Sequence, residues 1–189
     1  MHLMTPDELA LWHDVPTAVV SDEQRHQGVL SMVRPLFTGR PFVAQAFTIE
    51  VRTEEGVPPR ESLTHVWPLA CIVIDARSTP DAAVWGGNLI RIARERGVSA
   101  VVVDGNVRDV ADLRDSGLAV CSCGVTPRGP AWSGRFGVPI HCGGVEIEPG
   151  DLIIGDEDGV IVVPWIGVND DLLARCRARM AREAEGTRA

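Results

Sequence analysis

The sequence predicts an α/β domain with parallel strand pairing and a strand-rich second half, and three observations predict it. Two short continuous apolar runs, CIVIDA (71–76) and SAVVVDG (99–105), have the length and β-branched content of fully buried strands. Between them, over 81–96, Ala82, Trp85, Leu89, Ile92 and Ala93 recur at helical spacing, with the arginines mostly on the other face. A second amphipathic stretch, VRDVADLRDSG (107–117), leads into a third apolar run from 118. Strand, helix, strand, helix, strand is the order in which strands pair in parallel through crossover helices.

The remaining elements follow in chain order. Residues 5–13 and 16–27 read as two short helices, the second opened by Pro16, whose missing N–H would have no partner in a first turn anyway. PFVAQAFTIEVR (41–52) alternates apolar and polar residues, the pattern of a half-buried strand, and TEEGVPPR (53–60) reads as a turn. Gly97 stands where a helix-terminating glycine belongs. From about 118 to 163, short strands are separated by turns such as Glu148-Pro149-Gly150-Asp151, and GVIVVP is expected to close the sheet. Residues 169–189 read as a C-terminal helix and tail on a single domain spanning 1–189, a length that suits one hydrophobic core.

Composition narrows the function. The net charge of −8 argues against nucleic acid, since binding phosphates needs concentrated positive charge. No apolar run approaches the roughly 20 residues of a membrane span, and MHLMTPDELA has no basic leader or apolar segment, so a cytoplasmic location is expected. All 18 basic residues are arginine. Without lysine the chain cannot form a lysine Schiff base, so carbonyl chemistry needs a metal or hydrogen bonds as its electrophile. The five cysteines include Cys121-Ser122-Cys123, with His141-Cys142 further on, but this spacing fits no common zinc template and reads as buried thiols.

Two loops follow buried strands, where open α/β sheets bind ligands. In Trp85-Gly86-Gly87-Asn88-Leu89, paired glycines let the backbone come close to a ligand, so that its N–H groups can hold a carboxylate. In Asp104-Gly105-Asn106-Val107-Arg108-Asp109, Arg108 offers a planar fork that matches a carboxylate, and Asp109 is a hard oxygen ligand for Mg²⁺ or Mn²⁺. Together they could bind a small 2-oxo acid; the bland reading is a surface ion pair of Asp109 with Arg108, on a helix shared with Asp112.

GGNLIRIARERGVSAVVVDGNVRDVADL, then GVTPRGP, then HCGGVEIEPGDLIIGDEDGVIVVP, resemble the RraA-like family. That family includes the class II 4-hydroxy-4-methyl-2-oxoglutarate aldolases and a regulator of ribonuclease E activity. The resemblance spans roughly 70–164, more loosely 17–52, and implies a swivelling β/β/α domain assembling as a homotrimer or hexamer with sites at subunit boundaries. By the same resemblance, Gly86, Gly87, Asn88 and Leu89 match the loop whose N–H groups hold the pyruvyl portion of the substrate. Arg108 matches the arginine that binds the carboxylate and polarises the carbonyl, and Asp109 matches the ligand of a divalent cation, Mg²⁺ or Mn²⁺. The implied chemistry is aldol cleavage or oxaloacetate decarboxylation through a pyruvate enolate that metal and arginine stabilise. Alternatives are a divergent enzyme using this pocket on another substrate, or an interaction protein like the ribonuclease regulator.

The sequence departs from the family in two places. Gly87 stands where the aldolases carry an acid, and Trp67-Pro68-Leu69-Ala70 stands where a Pro-Gly-Asp turn is common. Asp75, Asp104, or Glu183 or Glu185 of a neighbouring subunit are candidates to supply the acid. His13, His26, His65 and His141 are scattered and read as structural, with His65 the one placed to approach the pocket. Arg128 reads as a subunit contact, and Asp156-Glu157-Asp158-Gly159 as a turn too short for a calcium loop.

Overall fold

A computed structural model describes residues 2–52, 56–129, 131–168 and 170–186. Part of the 53–60 turn, Pro130 of GVTPRGP, and the two ends of the 169–189 segment therefore lie outside the described residues.

The backbone of the fold is a twisted sheet. Its strands are β1 (Arg34–Pro35), β2 (Phe42–Arg52), β3 (Cys71–Asp75), β5 (Ala100–Val107), β6 (Ala119–Val125), β10 (Leu152–Gly155) and β11 (Val160–Val163), in the spatial order β1-β6-β5-β3-β2-β10-β11. Two short strands hang on this path: β4 (Ala83–Trp85) on β5 and β7 (Ser133–Phe136) on β2. The pairs β2–β3, β3–β5 and β5–β6 are parallel, as the alternation of strands and helices predicts. A separate hairpin, β8 (Ile140–Cys142) and β9 (Val145–Ile147), covers the inner face. GVIVVP forms β11, the end of the path, and there it meets the chain again. Leu30 N–H donates to Val160 O at 3.0 Å, while Arg34 and Pro35 pair with Ser122 and Cys121 of β6. The segment from 29 to 35 thus straps the two edges together, and the sheet is nearly a closed barrel.

Closure sorts the side chains into an inside and two outsides. Val73, Val102, Cys121, Ile153 and Val162 point into the barrel under Cys142 and Ile147 of the hairpin. Ile72, Ile74, Val101 and Val103 point outward, covered by Leu63 in the turn just past α3 (Pro59–Ser62) and by α4 (Gly87–Glu95) and α5 (Val110–Asp115) through Ile90, Ala93 and Leu113. On the far outside, Val43, Leu152 and Ile161 are covered by α1 (Pro6–Ala10), α2 (Thr17–Glu23) and α6 (Asp170–Gly186). Asp156 is the cap of α2. Its carboxylate accepts from Thr17 N–H at 2.8 Å and from Thr17 Oγ1 at 2.7 Å, replacing the side-chain cap that Pro16 cannot give.

Three readings change. The 81–96 helix begins only at Gly87, because Ala83, Val84 and Trp85 are all buried in β4, where Arg108 N–H donates to Trp85 O at 2.9 Å. Helical spacing of Ala82 and Trp85 was coincidental, and paired glycines are poor helix formers. The two N-terminal helices are shorter than their patterns, and α1 ends at Ala10. The strand β2 is buried on both faces through Ile49, so its polar alternation serves other partners. Gln45 Nε2 donates to Gly150 O at 2.8 Å and Thr48 Oγ1 to Val138 O at 2.6 Å.

Candidate active site

The ends of β4 and β5 run side by side and deliver two turns to one place. Gly86, Asn88 and Leu89 at the start of α4 line a cleft of about 510 Å³ with Arg108 and Asp109 from the end of β5. Pro59 and Arg60 form another wall, and Ala131 and Trp132 the roof. Trp132 is pinned there by its Nε1–H, which donates to Val84 O at 2.8 Å.

Asp109 adopts the left-handed conformation, φ 57° and ψ 49°. A non-glycine residue there carries strain, which aspartate tolerates better than most. Asp109 occupies the cap position of α5 yet makes no cap bond to its own helix. Its Oδ2 instead accepts from Gly87 N–H at 2.9 Å, the free N–H at the start of α4. Arg108 Nε lies 3.8 Å from the same oxygen, with both side chains somewhat under half exposed, so the pair contributes little stability as an ion pair. Arg108 is held from its other side by backbone. An added Cβ at Gly129 would lie 3.1 Å from Arg108 Nε and nearer still to the guanidinium carbon, so Gly129 is bare where the fork rests on it. The turn bearing Gly129 is fixed in place by Ala83 N–H, which donates to Arg128 O at 2.7 Å. Only the carbonyl of Arg128 takes part in this, and its side chain is exposed.

The N–H groups of the Gly-loop are partly engaged already. Gly87 N–H serves Asp109, and Leu89 N–H donates to Gly86 O at 3.1 Å. Asn88, which lines the cleft, carries the next N–H of that first turn.

Neither candidate strand acid reaches this cleft. Asp75 and Asp104 sit side by side in register on β3 and β5 and face the inside of the barrel, across the sheet from α4. Asp75 is gripped by Arg77 at 2.9 and 2.7 Å. Asp104 accepts from Gly143 N–H at 2.8 Å and from Cys123 Sγ at 3.4 Å. Glu183 pairs with Arg179 at 2.9 Å on α6, which within this chain covers the opposite outside of the sheet. His65 stacks on Phe136 with centroids 4.6 Å apart, outside the cleft, and His13 lines a different cavity. Among the described residues no group of three or more His, Cys, Asp or Glu is gathered as for a metal cluster. Burial pushes the thiols of Cys71 and Cys142 far up and that of Cys121 up to about 12, so they are inert.

A family model described as Aldolase/RraA, RraA-like, matches residues 17–162. The chain belongs to the RraA-like family. A Thermus thermophilus relative named 4-hydroxy-4-methyl-2-oxoglutarate aldolase is 33% identical over 151 residues, covering 78% of this chain and 92% of its own. A Halalkalibacterium halodurans relative, whose name assigns the same aldolase activity provisionally, is 30% identical over 97% of this chain and 88% of its own. The crystal structure of Streptomyces coelicolor RraAS2, described as an unusual member of the RNase ES inhibitor RraA family, superposes with a TM-score of 0.90 at 22% identity. It covers 99% of this chain and 98% of RraAS2, so this RraA-like chain has the RraA fold. No helix among the described residues is long and apolar enough to cross a membrane.

What sequence reasoning missed is the rest of the cleft wall. Arg60 sits on the four-residue α3, too short to show a period, and Trp132 and Gly129 come from irregular segments where none operates. The one available signal was a tryptophan in a Gly/Pro-rich stretch.

Proposed function

We propose that this chain is a cytoplasmic lyase that breaks the carbon–carbon bond beyond the carbonyl of a small 2-oxo acid and releases pyruvate. Its substrates are 4-hydroxy-4-methyl-2-oxoglutarate and related aldols, oxaloacetate, or both. The observation that carries the reading is the convergence of Arg108, Asp109 and the start of α4 on one cleft. The names of the two aldolase relatives support it.

Each residue then has a task. Arg108 takes the carboxylate of the substrate in two parallel hydrogen bonds and faces the oxygen on which negative charge develops. Gly129 and the Arg108 backbone bond to Trp85 hold that fork in place, so little reorganises during reaction. The first turn of α4 turns its positive end, with Asn88 N–H, toward the oxyanion. Arg60 on the facing wall suits the second carboxylate that both substrates carry.

The donor set fits a divalent cation. A carboxylate has two oxygens, so the single N–H on Asp109 Oδ2 leaves capacity for Mg²⁺ or Mn²⁺, which take few protein ligands and keep their waters. Bound there, the cation would act as a Lewis acid on the 2-oxo group. The cleft is open on its outer side, which suits assembly into a trimer or hexamer with a neighbouring copy as the missing wall.

The test is pyruvate release from both substrates, followed by coupled reduction with lactate dehydrogenase. Turnover is expected only with Mg²⁺ or Mn²⁺, and Arg108→Ala and Asp109→Ala each lower it about a hundredfold or more. No pyruvate from either substrate at millimolar metal would sink the reading.

A further inference from the structure

The cleft lies between two jaws of different make-up. One carries Arg108, Asp109 and the first turn of α4. The other is segment 56–60 joined to the start of β7. Val57 N–H donates to Gly134 O at 2.8 Å, and Gly134 N–H donates back to Val57 O at 3.0 Å. This second jaw presents Pro59, Arg60, Ala131 and Trp132 to the cleft, so it is apolar but for one guanidinium. Trp132 is the largest of the four, and its ring is fixed. Its Nε1–H is bonded to Val84 O on one edge, and Gly134 lies against the other, where an added Cβ would stand 3.2 Å from Cζ3. The ring also packs on the core cluster that contains Val84 and Ile90. Trp132 is therefore a rigid, flat, apolar wall.

We infer that Trp132 sets the substrate class of this site: 4-hydroxy-2-oxoglutarates whose C4 bears an aromatic ring, ahead of those bearing methyl or hydrogen. The inference rests on the lyase reading above. With C1 and C2 of the substrate at Arg108 and Asp109, C4 and C5 extend to the other jaw. Arg60 there takes the C5 carboxylate, and the remaining substituent on C4 has apolar surface to meet. A polar substituent would lose water without gaining a partner. An apolar one is favoured by leaving water, and a flat ring gains further by stacking or edge contact with the indole. A cleft of about 510 Å³ is in the range that takes ligands much larger than a methyl-bearing diacid, so a phenyl group fits. Cleavage of the 4-phenyl aldol breaks C3–C4, and the bonding pair goes to C3, which takes up a proton to become the methyl group of pyruvate. The C4 hydroxyl gives up its proton, and C4 becomes the ketone of phenylglyoxylate, with no added reactant.

This role is separable from the chemistry. Trp132 has no charge, and its one polar hydrogen is engaged by Val84 O, so it has nothing to offer a proton or a metal. Its effect falls on which aldol is held, and so on the ratio between substrates.

The test compares three aldols that differ only at C4: 4-hydroxy-2-oxoglutarate and its 4-methyl and 4-phenyl derivatives, each read as kcat/KM for pyruvate release. In the wild type each step from hydrogen to methyl to phenyl is expected to raise kcat/KM about tenfold or more, the scale on which an apolar pocket reads a methylene. Trp132→Ala is expected to bring the phenyl-to-hydrogen ratio within about threefold of one, whereas Trp132→Phe, which keeps a ring, retains most of it. Arg60→Gln lowers all three substrates alike and leaves their ratios unchanged. A wild type that does not favour the phenyl aldol overturns the inference without any variant, and so does a Trp132→Ala enzyme with the wild-type ratios. Either result leaves the lyase reading standing. Failure of the wild type to release pyruvate from all three aldols and from oxaloacetate, in any metal, overturns both.

Discussion

Replacing Gly129 by alanine tests whether the cleft is organised around a fixed Arg108. The backbone of Gly129 is outside the left-handed region, so alanine adds a methyl group without adding backbone strain. That methyl would stand 2.5 Å from the guanidinium carbon and 3.1 Å from Nε. Ordinary carbon contacts are about 3.5–4.0 Å, so the fork has to retreat by about 1 Å or more. A retreat of that size breaks the geometry of a two-point carboxylate bond. Loss of one charge-assisted hydrogen bond costs about 1.5–3 kcal/mol, or roughly ten- to a hundred-and-fiftyfold in affinity. The assay is calorimetric titration with oxalate, a pyruvate-enolate mimic, beside a melting curve. The expected result is weaker oxalate binding by that factor with the melting temperature nearly unchanged. Oxalate binding within about twofold of wild type would show that Arg108 is not set by this turn.

Other expectations follow from the same contacts. Asp156→Ala removes both hydrogen bonds that cap α2 and should cost about 1–2 kcal/mol in urea unfolding, with no effect on turnover. Glu50 links β2 to β7, and hydrogen bonding from Arg52, then Arg135, holds its carboxyl below the ordinary value of 4.5. A folded pKa below the unfolded one stabilises above about pH 4.5 and is lost as pH falls through the folded value. The stability gap between wild type and Glu50→Gln should therefore close on acidification, and a gap that widened instead would contradict the pairing. Partial burial of its sulfur, then the hydrogen bond to Asp104, pushes the Cys123 thiol up to about 11, so this cysteine should react slowly with iodoacetamide at pH 8 although the residue as a whole is exposed. Asp104→Asn should speed that reaction, as mass spectrometry would show.

The parts of the molecule that sequence made legible are those with a repeating signal. Residues 71–74 and 100–103 are apolar at every position because both faces of β3 and β5 are covered there. Arg108 and Asp109 stood out as a charged pair just past a buried strand, but position alone left a surface ion pair open, and it was the family resemblance that gave each an expected role. Trp85 misled because it stands three residues after Ala82 and four before Leu89, a helical spacing that the short strand β4 happens to share. That Asp75 and Asp104 do not serve the cleft was beyond reach for a different reason: only closure of the barrel turns both of them inward, to Arg77 and to the β8–β9 hairpin. Gly129 was invisible since what matters about it is a contact with a residue far away along the chain.

The pairing of β2 with β10 sets the order in which the molecule can be completed. Gln45 is matched with Leu152, and β2 is also the partner of β3 and β7. As the chain is synthesised, β3 can dock early, but the other edge of β2 waits about eighty residues for β7 and about a hundred for β10. At roughly 5–20 residues per second that wait is on the order of 5–20 s. For that interval an apolar strand meant to be buried on both faces stands with one edge unpaired on the ribosome. The nascent chain, more than the finished barrel, is where this protein is exposed to misassembly.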